Sequence, residues 1–148
     1  MQAAILNSSV GFWYSKQVYV TKQGGFYEVQ PKALEKFPIP PATPEQEALV
    51  TTAVDAILAG AGERARLEAL LNAFVYELFF PEDLAAANLS PFRAARNANL
   101  ATLTSLTGLP LAQAADNWSR QLADPTTPLY ATLFGLRSLE AVRIIEGA

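Results

Sequence analysis

The chain contains neither cysteine nor histidine among its 148 residues. Without cysteine it can form no disulfide, no thiolate nucleophile and no Cys-ligated metal site. Without histidine it can build neither a Ser-His-Asp nor a Cys-His catalytic arrangement, and no imidazole can hold zinc. The commonest routes to independent catalysis are therefore excluded for this chain.

Long apolar runs are also lacking, since no stretch reaches the roughly 18 residues needed to cross a bilayer. The first six residues carry no basic group and lead into Asn7-Ser8-Ser9, so we predict no secretory signal and expect a cytoplasmic protein without a membrane partner. Hydrophobic residues make up 51% of the chain and charged residues 17%, which is typical of folded rather than disordered proteins. The length suits one domain, or one domain with an appendage.

The net charge is −3, but the charged residues are unevenly distributed along the chain. Every lysine lies in residues 1–40, where four lysines against two acids leave +2. Every arginine lies in residues 41–148, where seven arginines against twelve acids leave −5. The acidic total argues against binding nucleic acid by bulk charge, but it allows a small basic, aromatic edge on a larger DNA-binding enzyme.

The clearest local pattern predicts a helix over Thr43–Leu58. Thr43 can cap the free backbone amides, and Gln46 three residues later completes a capping box. Apolar residues then recur at intervals of three and four, which makes one stripe that must dock on another element. Gly60 supplies the stop.

A second helix is predicted over Glu63–Phe79 and ends before Pro81, because proline disfavours a helical predecessor. The short glycine connection makes the two helices antiparallel neighbours, a helical hairpin over 43–80. Residues 81–148 are predicted to form a helical C-terminal extension packed with the rest as one unit. Its helices are predicted at Pro91–Thr107, Pro110–Ala123 and Pro128–Phe134, whereas Leu139–Glu146 fits either a helix or a strand.

The first forty residues follow a different pattern. Helical spacing and strand composition compete over residues 2–16, while 17–21 and 26–29 have strand character around the Gly24-Gly25 turn signal. Prolines between Phe37 and Pro41 require an extended segment. The expected fold class is therefore α+β, mainly helical, with a small N-terminal sheet or extended region over about 17–40 followed by the hairpin and further helices.

Motifs for catalysis are not found. Gly24-Gly25 lacks the remainder of a phosphate-binding loop, and Glu82-Asp83 after a proline fits the acidic first turn of a short helix. A solvated helix face is the better account of four polar residues that share one helical region: Arg93, Arg96, Asn97 and Asn99.

Lysines and aromatics over residues 12–36 remain as the chemical signal. Lysines can neutralise phosphates while aromatic rings, Tyr27 and Phe26 among them, stack on bases or wedge between them. The alternative is that the lysines keep an edge soluble and the aromatics are core, which we favour for Phe12, Trp13 and Phe37. The candidate DNA-binding residues are Lys16, Tyr19, Lys22, Gln23, Lys32 and Lys36.

The order of segments resembles a known family. Ala4-Ile-Leu-Asn-Ser-Ser9 is followed by an aromatic stretch, a Leu34-Glu-Lys-Phe-Pro-Ile-Pro40 strap and a helix start at Thr43-Pro-Glu-Gln-Glu47. This order resembles the TaqI-like C-terminal specificity domains of adenine-specific DNA methyltransferases and fused restriction–modification enzymes. The segments Asn72–Glu82 and Pro128–Gly147 are similar to the carboxyl-terminal part of the single-chain fused enzymes.

The resemblance implies a role in restriction–modification, with residues 1–42 as the end of a target-recognition region. Such enzymes transfer methyl from S-adenosylmethionine, and their endonuclease activity implies Mg²⁺, but the family's glycine motif and Asn/Asp-Pro-Pro-Tyr/Phe pocket are absent from this sequence. We therefore expect a non-catalytic specificity fragment without a cofactor or metal of its own. Its expected partners are double-stranded DNA and an upstream methyltransferase module in cis or trans, with a possible homo-oligomer through the 43–79 helices.

A rival hypothesis needs no DNA. The apolar stripes and acidic total also suit a helical protein-interaction or oligomerisation module that assembles with itself or with another protein.

Overall fold

The computed structural model describes residues 2–18, 20–21, 27–28, 39–58, 60, 63–98 and 108–147. Within these ranges the chain is mainly helical, as the sequence predicts. The helices are α1 (Gln2–Leu6), α2 (Ser9–Val18), α3 (Pro44–Leu58), α4 (Arg64–Phe79), α5 (Pro81–Ala86), α6 (Pro91–Asn97), α7 (Gly108–Ala123), α8 (Pro128–Gly135) and α9 (Glu140–Glu146), with a 3₁₀ turn at Leu136–Ser138.

The start of α3 forms the capping box that the sequence predicts. The Gln46 amide donates to Thr43 Oγ1 at 3.1 Å, and the Thr43 amide donates to Gln46 Oε1 at 2.9 Å. These reciprocal bonds satisfy two amides that the first turn of a helix leaves without backbone partners. The helix then buries Leu49, Val50 and Ala53 as it packs against α4.

Helix α4 is the central element of the fold. It contacts α2, α3, α5, α6, α7 and α8, and residues on opposite sides of it enter two different apolar clusters. The large cluster joins α1, α3, α4, α6, α7 and α8, and includes Leu49, Leu70, Phe74, Phe92 and Trp118. The small cluster joins α1, α2, α4, α5, the 3₁₀ turn and α9, and includes Ile5, Val10, Val75, Leu84 and Val142.

A parallel aromatic stack lies inside the large cluster. The rings of Phe74 and Phe92 have centroids 4.6 Å apart and planes 4° apart, and Phe74 is fully buried. Burying an aromatic side chain of this size contributes about 2–3 kcal/mol before packing terms. The stack therefore fixes α6 firmly against α4.

Helix α6 ends much earlier than predicted. It closes at Asn97, and the predicted continuation to Thr107 falls mostly outside the described residues. Asparagine is a poor helix former because its side chain competes for backbone hydrogen bonds, which accounts for an early end. The later predictions agree better: α7 reaches Ala123, α8 begins at Pro128, and the ambiguous last stretch is helical.

The predicted sheet region over 17–40 is not supported. The described part of that region contains a single antiparallel pairing of two residues per strand, β1 (Val20–Thr21) with β2 (Tyr27–Glu28). Gln17 and Val18, predicted to begin a strand, belong to α2. The apolar residues over 2–16 recur at helical spacing, and this pattern outweighs the strand propensity of the few valines and tyrosines that follow.

Candidate functional site

The bend between α1 and α2 depends on Ser8 and Gly11. The Ser8 hydroxyl donates to the Ile5 carbonyl oxygen at 2.6 Å and accepts from the Gly11 amide at 3.2 Å. A Cβ on Gly11 would lie 2.3 Å from that Ile5 oxygen, so only glycine permits this close approach. The Ser9 amide donates to Asn72 Oδ1 at 2.9 Å, which ties the start of α2 to α4.

Helix α2 presents an aromatic ring and a cation on its exposed face. Phe12 is 61% exposed, and Lys16 is exposed one turn later. The Lys16 Nζ lies 4.3 Å from the centroid of the Phe12 ring, which is within cation–π range. We call this pair, Phe12 and Lys16, the α2 edge. It offers a flat apolar face and a positive charge side by side on an anchored helix.

Of the predicted DNA-binding residues, the structure places only Lys16. The other five lie outside the described residues: Tyr19, Lys22, Gln23, Lys32 and Lys36. Of the aromatics predicted to be core, Phe12 is exposed and that prediction is wrong, Trp13 is partly buried, and Phe37 lies outside the described residues. Ile5 and Val10 occupy the apolar interior at this end of the molecule, so the adjacent face of α2, with Phe12, is left in solvent.

The predicted solvated face on α6 is confirmed for three of its residues. Arg93, Arg96 and Asn97 are exposed, while Asn99 lies outside the described residues. Arg96 lies 3.5 Å from Glu45 in an exposed ion pair, and such pairs contribute little to stability. Glu82 and Asp83 occupy the first turn of α5, as predicted.

A carboxylate that the sequence did not single out organises the start of α6. Glu77 accepts from the Ser90 hydroxyl at 2.6 Å and from the Phe92 amide at 2.8 Å, while Ser90 Oγ accepts from the Arg93 amide. Negative charge at a helix N-terminus is favourable because the free amides point toward it. These bonds explain a structural role for Glu77.

A half-open cavity of about 660 Å³ lies between α4, α8, the 3₁₀ turn and α9. Its α4 wall includes three alanines at intervals of four residues, which keep that wall smooth: Ala65, Ala69 and Ala73. The opposite wall carries Tyr130 and Phe134, whose ring centroids are 6.2 Å apart with planes 11° apart. We call this cavity the α4–α8 groove.

At one side of the groove, the Tyr76 hydroxyl donates to a carboxylate oxygen of Glu146. This bond joins α4 to α9 across 70 residues of sequence. Burial raises the pKa of the Tyr76 phenol well above its usual value, and the hydrogen bond to Glu146 and its negative charge raise the pKa further. The phenol therefore remains a neutral donor through the alkaline range in which an exposed tyrosine ionises.

Two arginines and two carboxylates line the groove, and they differ in whether they already have a partner of opposite charge or a hydrogen-bond donor. Glu68 binds the Nε of Arg64 at 2.7 Å, and Glu146 accepts from Tyr76, so both carboxylates already have donors. Arg137 and Arg143 form no ion pair with any carboxylate in the described parts of the chain. The Arg137 guanidinium carbon lies 5.4 Å from the centroid of the Phe134 ring.

Sequence reasoning did not find this groove. Its walls come from segments more than fifty residues apart, and tertiary packing alone brings them together. No local pattern marks its aromatic and arginine residues, because they acquire a common surface only through the packing of α8, the 3₁₀ turn and α9 against α4.

Over the described ranges no three His, Cys, Asp or Glu side chains are grouped closely enough to hold a metal ion. None of the helices in those same ranges combines the length and apolar character needed to cross a membrane.

Comparison of the whole chain with known protein families, with curated proteins and with solved structures finds no match.

Proposed function

We propose that this chain is the DNA target-recognition part of a restriction–modification DNA methyltransferase/endonuclease, and that methyl transfer and cleavage belong to other modules of that enzyme. The observation that carries the proposal is the α2 edge, where an exposed phenylalanine lies beside an exposed lysine. The order of segments described above, from Ala4 through the proline strap to the capped helix, supports the same assignment.

The two side chains of the α2 edge have the chemistry needed to bind a nucleic acid. An ammonium group neutralises a backbone phosphate and releases a counterion, while a flat aromatic ring stacks on a base or wedges against one. Phosphate contacts position a protein on the duplex, and base contacts select the sequence. In this proposal Lys16 positions the chain, and Phe12 contacts a base or sugar.

Anchoring of α2 makes the edge a fixed surface. The Ser9–Asn72 bond and the bend at Ser8 hold the helix against α4, so Phe12 and Lys16 do not have to be ordered at the moment of binding. A preformed surface avoids part of the entropy cost that association imposes. The hairpin of α3 and α4 then serves as the scaffold, and in a full enzyme it would face the methyltransferase module.

In this proposal, other modules of the parent enzyme carry out methyl transfer and DNA cleavage. S-adenosylmethionine supplies the methyl group in such enzymes, and no residue described here is assigned to it or to Mg²⁺. The chain acts by holding and orienting the duplex.

Salt-dependent DNA binding tests the proposal. Fluorescence anisotropy with a random-sequence duplex should show an affinity that falls steeply with salt. Lys16→Gln should lower the slope of log K against log salt by about 0.9, the value for one lost phosphate contact. Replacing Lys16, Lys22 and Lys36 together with glutamate should abolish most binding.

Matched variants distinguish a specific contact at the α2 edge from a general effect of net charge on DNA binding. Arg93→Gln removes the same charge from another exposed face and should leave the slope unchanged. Phe12→Ala should weaken binding by about 1–3 kcal/mol without changing the slope, because stacking is not ionic.

One result would favour the rival interaction module. Equal binding by wild type and the triple glutamate variant would remove the DNA role from this edge. Exposed apolar side chains such as Leu58, 78% exposed at the end of α3, would then direct attention to protein partners, and sedimentation would measure self-association.

A further inference from the structure

The α4–α8 groove combines three features that no role of the α2 edge uses. It has the size of a small-molecule site, since such sites usually span about 300–1,000 Å³. It contains a parallel pair of aromatic rings, Tyr130 and Phe134. It also contains two arginines that have no carboxylate partner in the described part of the chain.

We propose that this groove binds an aromatic ring system that carries a phosphate, with a nucleoside monophosphate as the representative ligand. Arg137 and Arg143 would bind the phosphate, and the ring would stack against Phe134. The proposal concerns a surface separate from the α2 edge, and it stands whether or not the chain recognises a DNA target.

The arginines argue for a phosphate. A guanidinium presents a planar set of N–H donors that matches two phosphate oxygens at once, and this geometry is preferred over a single ammonium contact. The two carboxylates of the groove do not compete for these donors, because Glu68 is occupied by Arg64 and Glu146 by Tyr76.

The aromatic pair argues for a ring on the ligand rather than an alkyl chain. Phe134 is 58% exposed, so its ring is accessible to a ligand in the groove. The Arg137 guanidinium carbon lies 5.4 Å from the Phe134 centroid, so a phosphate bound to Arg137 would lie within reach of a base that contacts Phe134. The phosphate and the ring of one ligand could therefore bind Arg137 and Phe134, which are neighbours.

Open polar groups complete the site for a sugar. The Tyr130 hydroxyl and the Glu68 carboxylate line the same groove and can bind ribose hydroxyls or the exocyclic groups of a base. An entirely apolar ligand would cover the Tyr130 hydroxyl without offering it a hydrogen-bond partner, at a cost.

Isothermal titration calorimetry with the full chain tests the proposal, using AMP, adenosine, inorganic phosphate and a short single-stranded oligodeoxynucleotide as separate probes. We expect saturable one-to-one binding of AMP, at least tenfold tighter than either adenosine or inorganic phosphate. Tighter binding of the oligonucleotide than of AMP, lost in the same variants, would identify the ligand as a nucleotide within a strand and also support the proposal.

Variants at the groove should act on this binding alone. Arg137→Gln and Arg143→Gln should each weaken AMP binding at least tenfold, and Phe134→Ala by about tenfold, whereas Phe134→Tyr should retain it. These four variants change three exposed positions, and thermal unfolding of each variant verifies that the fold is intact. Lys16→Gln, on the α2 edge, is the control and should bind AMP as wild type does.

Three outcomes would overturn the proposal: no heat of binding with AMP or the oligonucleotide, equal affinity for inorganic phosphate and AMP, or arginine variants that bind AMP like wild type. Each is independent of the duplex-binding slope that tests the proposed function, so failure of one assignment is distinguishable from failure of the other.

Discussion

The two apolar clusters on either side of α4 differ in how they hold their helices. The large cluster joins six helices and contains bulky side chains, including the Phe74–Phe92 stack and the buried Trp118. The small cluster contains mostly aliphatic residues such as Ile5, Val10 and Val142, and two polar links lie beside it, Ser9 to Asn72 and Tyr76 to Glu146. Because apolar stabilisation grows with the area removed from water, the large cluster should set global stability.

The difference between the clusters determines where local opening should occur. Helices α2 and α9 attach through the small cluster, whereas α1 places Ile5 in the small cluster and Ala4 in the large one. All three helices are short, so they recover little stability from their own backbone hydrogen bonds. We expect these helices to open before the α3–α4 pair does. Three substitutions test this difference between the clusters.

Phe74→Ala should produce the largest effect. It removes a fully buried ring and its stacking partner's contact, and such changes cost about 3–5 kcal/mol. Urea denaturation followed by far-UV circular dichroism measures the loss. Leu58→Ala, at an exposed apolar position, is the control and should change stability little; a Phe74→Ala loss as small as that of the control would refute the role of the large cluster.

Gly11→Ala should have an intermediate effect confined to the small cluster. The new Cβ would collide with the Ile5 carbonyl, so the bend between α1 and α2 must shift, at a cost of about 1–3 kcal/mol. Amide hydrogen exchange should rise over residues 4–18 and remain low in α4. Gly135→Ala is the matched control, since its Cβ meets the flexible end of Leu89 at 3.0 Å; equal exchange in both variants would contradict the expectation.

Tyr76→Phe should have the smallest effect at neutral pH, about 1 kcal/mol for one net hydrogen bond. The pH dependence is more diagnostic. Because the pKa of Tyr76 is raised in the folded state, the unfolded chain loses this proton first, and stability present below about pH 10 falls as pH rises above it. Denaturation at pH 8 and pH 11 should show a smaller alkaline loss for the phenylalanine variant than for wild type; identical losses would rule out this coupling.

The sequence predicts the hairpin helices well because their signals are local. The capping box of Thr43 and Gln46 and the breaks at Gly60 and Pro81 depend on neighbouring residues alone, and the structure confirms all of them. Local signals do not decide between helix and strand for Leu139–Glu146, because eight residues are too few to show a clear periodicity. Tertiary contacts of α9 with α2 and the 3₁₀ turn decide that it is helical.

The candidate site is less predictable, for a physical reason. Burial of Phe12 depends on which face of α2 meets α4, and that choice follows from the Gly11 bend and the Ser9–Asn72 bond rather than from hydropathy. The α4–α8 groove depends on packing between distant segments, so its aromatic and arginine residues carry no shared motif in the sequence. Of the six candidate DNA-binding residues, only Lys16 falls within the described residues.

The positions of the two tryptophans follow from this arrangement and have a practical consequence. Trp118 is 3% exposed within the large cluster, whereas Trp13 is partly buried on α2. Indole emission shifts toward the blue in a dry environment, so the pair should emit at different wavelengths. Replacing either one with phenylalanine would leave a single tryptophan, and its emission would then report on the surroundings of one of these two positions without any attached dye.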